Sequence, residues 1–94
     1  MLYMVIERFV DGDPVPVYRR FREQGRMAPD GLHYISSWVD DKLACCFQIM
    51  ETAQPELLQQ WMANWSDIVQ FEVHPVLTSA EAAARVARRR PDAD

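Results

Sequence analysis

Gln48 is a lone amide inside an otherwise apolar run, Leu43 to Met50. Buried polar groups are costly unless they are hydrogen-bonded, so this amide needs a partner within the fold or a ligand. Glu72, Ser36 and Ser37 are the candidate protein partners. Tyr34 and Trp38 are expected on one face of a strand, as an amphipathic wall with a hydroxyl and an indole N–H. Trp61 and Trp65 add two more indoles at helical spacing. Tyr34, Trp38, Gln48, Trp61, Trp65 and Glu72 therefore form a candidate pocket for a small apolar or aromatic molecule. The plainer reading of the same residues is a structural hydrogen-bond network beside a core filled by the tryptophans.

Other reactive side chains point less clearly to chemistry. His33 and His74 fall on the second and fourth predicted strands, at opposite edges of the expected sheet and roughly 14 Å apart. They cannot share a metal ion within one chain, and Glu72 with His74 is a ligand pair without a third member. No metal site or cofactor is therefore expected. Cys45 and Cys46 are adjacent, so on a strand they point to opposite faces and read as two reduced thiols. Glu7 would serve as a base if buried, although its place near a strand end favours an outward orientation. Arg19, Arg22 and Arg26 share one face of the first predicted helix; a solvated cationic face is expected, with an anion site as the alternative. No Ser-His-Asp, Cys-His or paired-carboxylate spacing is present.

The elements that position these residues follow from periodicity. Leu2 to Phe9 reads as a strand. Asp13 suits a helix N-cap and Pro14 the first helical position, Val17, Tyr18 and Phe21 form the inward stripe, and Gly25 closes the helix. Leu32 to Val39 and Leu43 to Met50 read as strands joined by a hairpin at Asp40-Asp41-Lys42. A second helix opens at Gln54-Pro55-Glu56 and carries Leu57, Leu58, Trp61, Met62 and Trp65. Val69 to Leu77 is the fourth strand. Thr78-Ser79-Ala80-Glu81 has the form of a capping box ahead of an Ala-rich helix that ends in Arg88-Arg89-Arg90. Strand, helix, strand, strand, helix, strand specifies an α+β, ferredoxin-like βαββαβ sandwich: a four-stranded antiparallel sheet in the order 4-1-3-2, two helices on one face, and a C-terminal helix.

Ninety-four residues make one domain, expected over residues 1–90 with a flexible tail at 91–94. The formal charge of −4, with Lys42 the sole lysine, disfavours a phosphate backbone as partner, so no nucleic acid is expected. The central strand LACCFQIM has one Phe and no positive charge, where an RNA-recognition sheet needs exposed aromatics and cations. VDGDPVP after the first strand puts acids and prolines where an acylphosphatase-like site needs a phosphate cradle. The opening MLYMVIERF has no basic leader and is too short to span a bilayer, so a cytoplasmic protein without membrane contact is expected.

The strands are apolar on both sides. The first offers Leu2, Met4 and Ile6 on one face against Tyr3, Val5 and Phe9 on the other; the third offers Cys45, Phe47 and Ile49 against Cys46 and Met50. Two helices cover one face only, and a second copy of the sheet is the simplest cover for the other, which predicts a homodimer.

MVIERF, DPVPVYRRFREQGRM, SSWVD with CCFQIMET, and WSDIVQFEVHPVLTSAEAAA together resemble a bacterial domain-of-unknown-function family, number 3303, over nearly the whole chain. The resemblance implies the dimeric α+β-barrel superfamily, in which two ferredoxin-like sheets close face to face. Superfamily relatives include cofactor-free antibiotic-biosynthesis monooxygenases, muconolactone isomerases and stress-responsive small barrels. The family carries no assigned reaction, so no catalytic residue transfers. The function expected is binding of a small apolar or aromatic molecule, with cofactor-independent oxidation or isomerisation; a non-catalytic dimerisation or ligand-sensing module is the alternative. A cavity on the order of 300 Å³ or more separates the two.

Overall fold

The computed structural model describes residues 1–89; Arg90 and the expected tail at 91–94 lie outside the described residues. The chain runs β1 (Leu2–Phe9), a 3-10 turn (Val10–Gly12), α1 (Val15–Gln24), β2 (His33–Val39), β3 (Cys45–Glu51), α2 (Glu56–Ala63), β4 (Val69–Val76) and α3 (Ser79–Arg89). The four strands form one antiparallel sheet in the order β2-β3-β1-β4, which is the expected ferredoxin-like topology.

Register divides the side chains between two faces. Opposite Glu7 stand Cys46 on β3 and Phe71 on β4, and opposite Val5 stand Gln48 and Val73. This face meets the helices: Val5, Phe9, Met50 and Val69 join Val17 of α1 and Leu57, Leu58 and Trp61 of α2 in one buried cluster with Leu32 and Trp65. The other face carries Leu2, Met4 and Ile6 with Cys45, Phe47 and Ile49, none of them buried within the single chain.

Local chemistry accounts for the element boundaries. Asp13 Oδ1 accepts the Val15 N–H at 3.0 Å and the Pro14 carbonyl accepts from Tyr18 at 3.0 Å, so Asp13 caps α1 in practice. In the hairpin after β2, Asp40 Oδ1 accepts from the N–H groups of both Ala44 and Cys45, which postpones β3 to Cys45. Leu43, expected as the first residue of that strand, instead turns the chain with φ 59°. Trp65 lies past the end of α2 rather than on it, in a tight turn where its N–H donates to the Met62 carbonyl. Arg20 of α1 ties this turn down: its two Nη groups donate to Asp67 at 2.7 and 2.8 Å, a bidentate pair, and Nη1 also reaches the Asn64 carbonyl.

The capping box is formed: Thr78 Oγ1 accepts from Glu81 N–H while Glu81 Oε1 accepts from Thr78 N–H. Beyond it, α3 buries no residue, and Val86 is 63% exposed. The radius of gyration, 16.1 Å, exceeds the roughly 12 Å of a compact chain of this length, and the extents are 54 × 31 × 17 Å. No helix among the described residues is long and apolar enough to cross a membrane.

Candidate functional site

Between α1, the C-terminal end of α2 and the sheet lies a cavity of about 230 Å³. Its floor is the helix-facing side of β1 and β3, and its walls come from Tyr18 and Phe21 of α1 and from Trp61 and Trp65. Polar groups in this apolar setting are few, and three of them form a chain. Arg26 Nε donates to Gln48 Oε1 at 2.8 Å, and Gln48 Nε2 donates to Glu7 Oε2. Glu7 and Gln48 are both buried, at 8% and 3% exposure.

The polar partners differ from those expected. Gln48 is satisfied by Glu7 and Arg26, not by Glu72 or a serine. Glu7 does not point outward: it shares a face with Val5 and Phe9, so alternation along β1 turns it into the cavity. Burial pushes its carboxyl up to about 7, against the opposing pull of the Gln48 hydrogen bond and the Arg26 charge. Cys46, directly across from Glu7, is pushed up to about 12 by burial first and by the Glu7 charge second, which keeps it a neutral thiol.

Arg26 is also placed differently from the expected cationic helix face. α1 stops at Gln24, and Gly25 follows at φ 70°, ψ −161°, a conformation that only glycine adopts without strain. Met27 then takes φ 61°, the left-handed region for a bulky residue. This reversal separates Arg26 from Arg19 and Arg22. It also presents the Arg26 carbonyl to two donors at once: the indole N–H groups of Trp61 and Trp65 both reach it at 3.0 Å. The guanidinium lies over the Tyr34 ring at 3.7 Å and near Phe21 at 5.2 Å.

Of the six candidate residues, Gln48, Trp61 and Trp65 line this cavity, and Tyr34 stands beside it through Arg26. Trp38 and Glu72 do not. The β2–β3 register shifts between Tyr34 and Ser36, so one extra residue flips the alternation. Tyr34 therefore stays on the helix face while Trp38, 60% exposed, pairs with Phe47 on the other. Glu72 stands opposite Ile6, also on that other face, where it bonds Arg8 at 2.7 Å and His74. These two partners, His74 foremost, hold its carboxyl below the usual range. Glu7 and Arg26 are the site residues that the candidate set missed. The placing of Glu7 between Val5 and Phe9 carried the signal for the first; Gly25, as a helix stop, carried it for the second.

His33 and His74 lie on the two edge strands, β2 and β4. Among the described residues no group of three His, Cys, Asp or Glu side chains is placed to hold a metal ion. Cys45 and Cys46 are free thiols on opposite faces of β3.

Sheet order, helix placement and cavity define a ferredoxin-like α+β sandwich with a small polar-floored pocket. The chain belongs to the family of the domain of unknown function DUF3303, whose model matches residues 1–90. The protein SCO4226 of Streptomyces coelicolor A3(2), known from a crystal structure, is similar in fold with a TM-score of 0.58 and 17% identity. That match covers 84% of this chain and 99% of the other. No curated protein matches the chain.

Proposed function

We propose that this protein is a small homodimeric α+β barrel whose cavity binds a small, single-ring apolar or aromatic molecule and isomerises it by proton transfer through Glu7. The observation that carries this reading is a carboxyl group on the floor of an aromatic-walled cavity, titrating near 7. A proton-transfer group works best when its pKa lies near the working pH, so that it can both take and return a proton. In such a cycle the Glu7 carboxylate removes a proton from one carbon of the ligand. The electron pair shifts within the ligand, and the resulting acid returns the proton at another carbon. Nothing is oxidised or reduced, so a carboxyl group alone suffices, which favours isomerisation over oxidation.

The cavity volume sets the size of the ligand. About 230 Å³ falls below the roughly 300 Å³ that separates the two readings for a drug-sized ligand, so the binding reading is held to a smaller guest, for which a cavity of roughly 150 Å³ already holds one benzene ring. The dimer part of the reading rests on the uncovered sheet face, where Met4, Ile6, Phe47 and Ile49 adjoin Trp38, and on α3, whose apolar stripe has no cover within the chain.

A panel of single-ring compounds titrated against the intrinsic tryptophan fluorescence tests the pocket, since Trp61 and Trp65 form its wall. Binding accompanied by deuterium exchange from D2O into the ligand, lost in Glu7→Gln, is the expected result. Binding without exchange points to the ligand-sensing alternative, and absence of any binding overturns the pocket.

A further inference from the structure

The arginines of this chain are not equivalent. Arg8 and Arg20 are engaged on the surface by Glu72 and Asp67. Arg26 lines the cavity without a carboxylate in direct contact, and only its Nε is used, by Gln48. Among the described residues, its two Nη groups donate to no protein acceptor.

We infer that the cavity takes a ligand with a carboxylate head, held by the outer Nη pair of Arg26, and a single-ring apolar body against Trp61 and Trp65. The inference rests on the pocket reading above and names the chemical class of what enters it. Three observations support it. The guanidinium is a planar fork whose geometry matches a carboxylate in a bidentate manner. It is also fixed in advance: Tyr34 lies under its plane at 3.7 Å, Gln48 fixes Nε, and two indoles pin the backbone carbonyl of the same residue. Less side-chain freedom is then lost when a ligand binds. Finally, the backbone turns to positive φ on both sides of Arg26, without strain at Gly25 but in the left-handed region at the bulky Met27, and strain of that kind persists where the surroundings enforce a particular local conformation.

Glu7 is compatible with such a guest. The groups around it are Arg26 from the loop after α1, Tyr18 from α1 and Cys46 from β3, while α2 and β4 present Trp61 and Phe71. At pH 6, below its value of about 7, Glu7 is mostly neutral, so little second negative charge opposes the carboxylate.

The test uses two single-ring probes of similar size, charged benzoate and neutral benzyl alcohol, titrated into the wild-type protein at pH 6 with tryptophan fluorescence and calorimetry. Benzoate is expected to bind about tenfold or more tightly than the alcohol, as a charge-assisted pair exceeds a neutral contact. Arg26→Gln should remove that preference while benzyl alcohol binds as before, because the indole bonds are to the backbone. Arg26→Lys, which keeps the charge but not the fork, should fall between the two. Equal binding of both probes to the wild type, or an equal loss of both in Arg26→Gln, overturns the carboxylate inference and leaves the pocket standing. Failure of both probes to bind the wild type overturns the pocket, and this inference with it.

Discussion

The indole N–H of Trp61 donates to the carbonyl oxygen of Arg26 at 3.0 Å, across 35 residues of chain. Trp65 makes the same bond to the same oxygen, so one carbonyl just past α1 holds both the last turn of α2 and the turn that follows it. The tryptophans are therefore core and anchor together. Trp61, 2% exposed, also packs its ring against Phe71 on β4, with centroids 5.7 Å apart.

Trp61→Ala should cost about 3–5 kcal/mol, because it removes a large buried ring and leaves a cavity. Trp65→Phe keeps most of the apolar surface and loses one of the two bonds to Arg26, at about 1 kcal/mol. Thermal melts of the two variants check both numbers. An unchanged melting temperature for Trp61→Ala would show that the indole is not a core element.

Stability should fall as pH rises from about 4.5 to about 7. The Glu7 carboxyl is raised by burial from its ordinary value to about 7, so in that window the native state holds a proton that the unfolded chain has released. Stability from this group is fully present below 4.5 and lost by about 7, a difference on the order of 3 kcal/mol at 1.36 kcal/mol per unit. Glu7→Gln is neutral throughout and should flatten this part of the curve. Urea melts of both proteins at pH 5 and 8 measure it; equal slopes would mean that Glu7 is already ionised when folded.

Much of the fold is legible in the periodicity, because each strand carries several apolar residues at period two and each helix an apolar stripe. The candidate site is less so, for reasons that particular residues show. Alternation tells which residues of a strand share a side, yet it cannot align the sides of neighbouring strands; hence the sequence groups Glu72 with Gln48 although β4 pairing turns it away. A bulge is one residue long and leaves no composition signal, so Tyr34 and Trp38 read as one wall when they lie on opposite faces. Arg26 continues the spacing of Arg19 and Arg22, and only the conformation of Gly25 shows that the helix has ended. Glu7, finally, sits at a position whose neighbours Val5 and Phe9 mark it as inward, and there the strand pattern outweighs the polarity of the side chain.

The uncovered sheet face predicts the assembly. Phe47 stands at its centre on β3, between Ile6 on β1 and Trp38 on β2, and is 37% exposed in the single chain. Phe47→Asp should place a charge in the middle of the proposed dimer interface, where burial without a partner is strongly unfavourable. Sedimentation at micromolar concentration is expected to show a dimer for the wild type and a monomer for the variant. A wild-type monomer would leave the second apolar face without a purpose in self-association.

Gln48 is the most economical place to probe the polar chain. It accepts from Arg26 and donates to Glu7, so both ends of its amide are used within the protein. Gln48→Leu keeps similar bulk but leaves the Arg26 Nε and the Glu7 carboxyl without their partner. The cost should be about 1–3 kcal/mol, the penalty of stranding buried polar groups. The sign of a second effect is also set. The Gln48 hydrogen bond lowers the Glu7 carboxyl, so without it Glu7 should rise above about 7 and the pH-dependent loss of stability should move to higher pH. Melts of Gln48→Leu across pH 5 to 9 read both effects together. A lower melting temperature with the upward-shifted midpoint identifies the bridge; an unchanged melt with an unchanged midpoint would mean that Gln48 does not join Arg26 to Glu7 in solution.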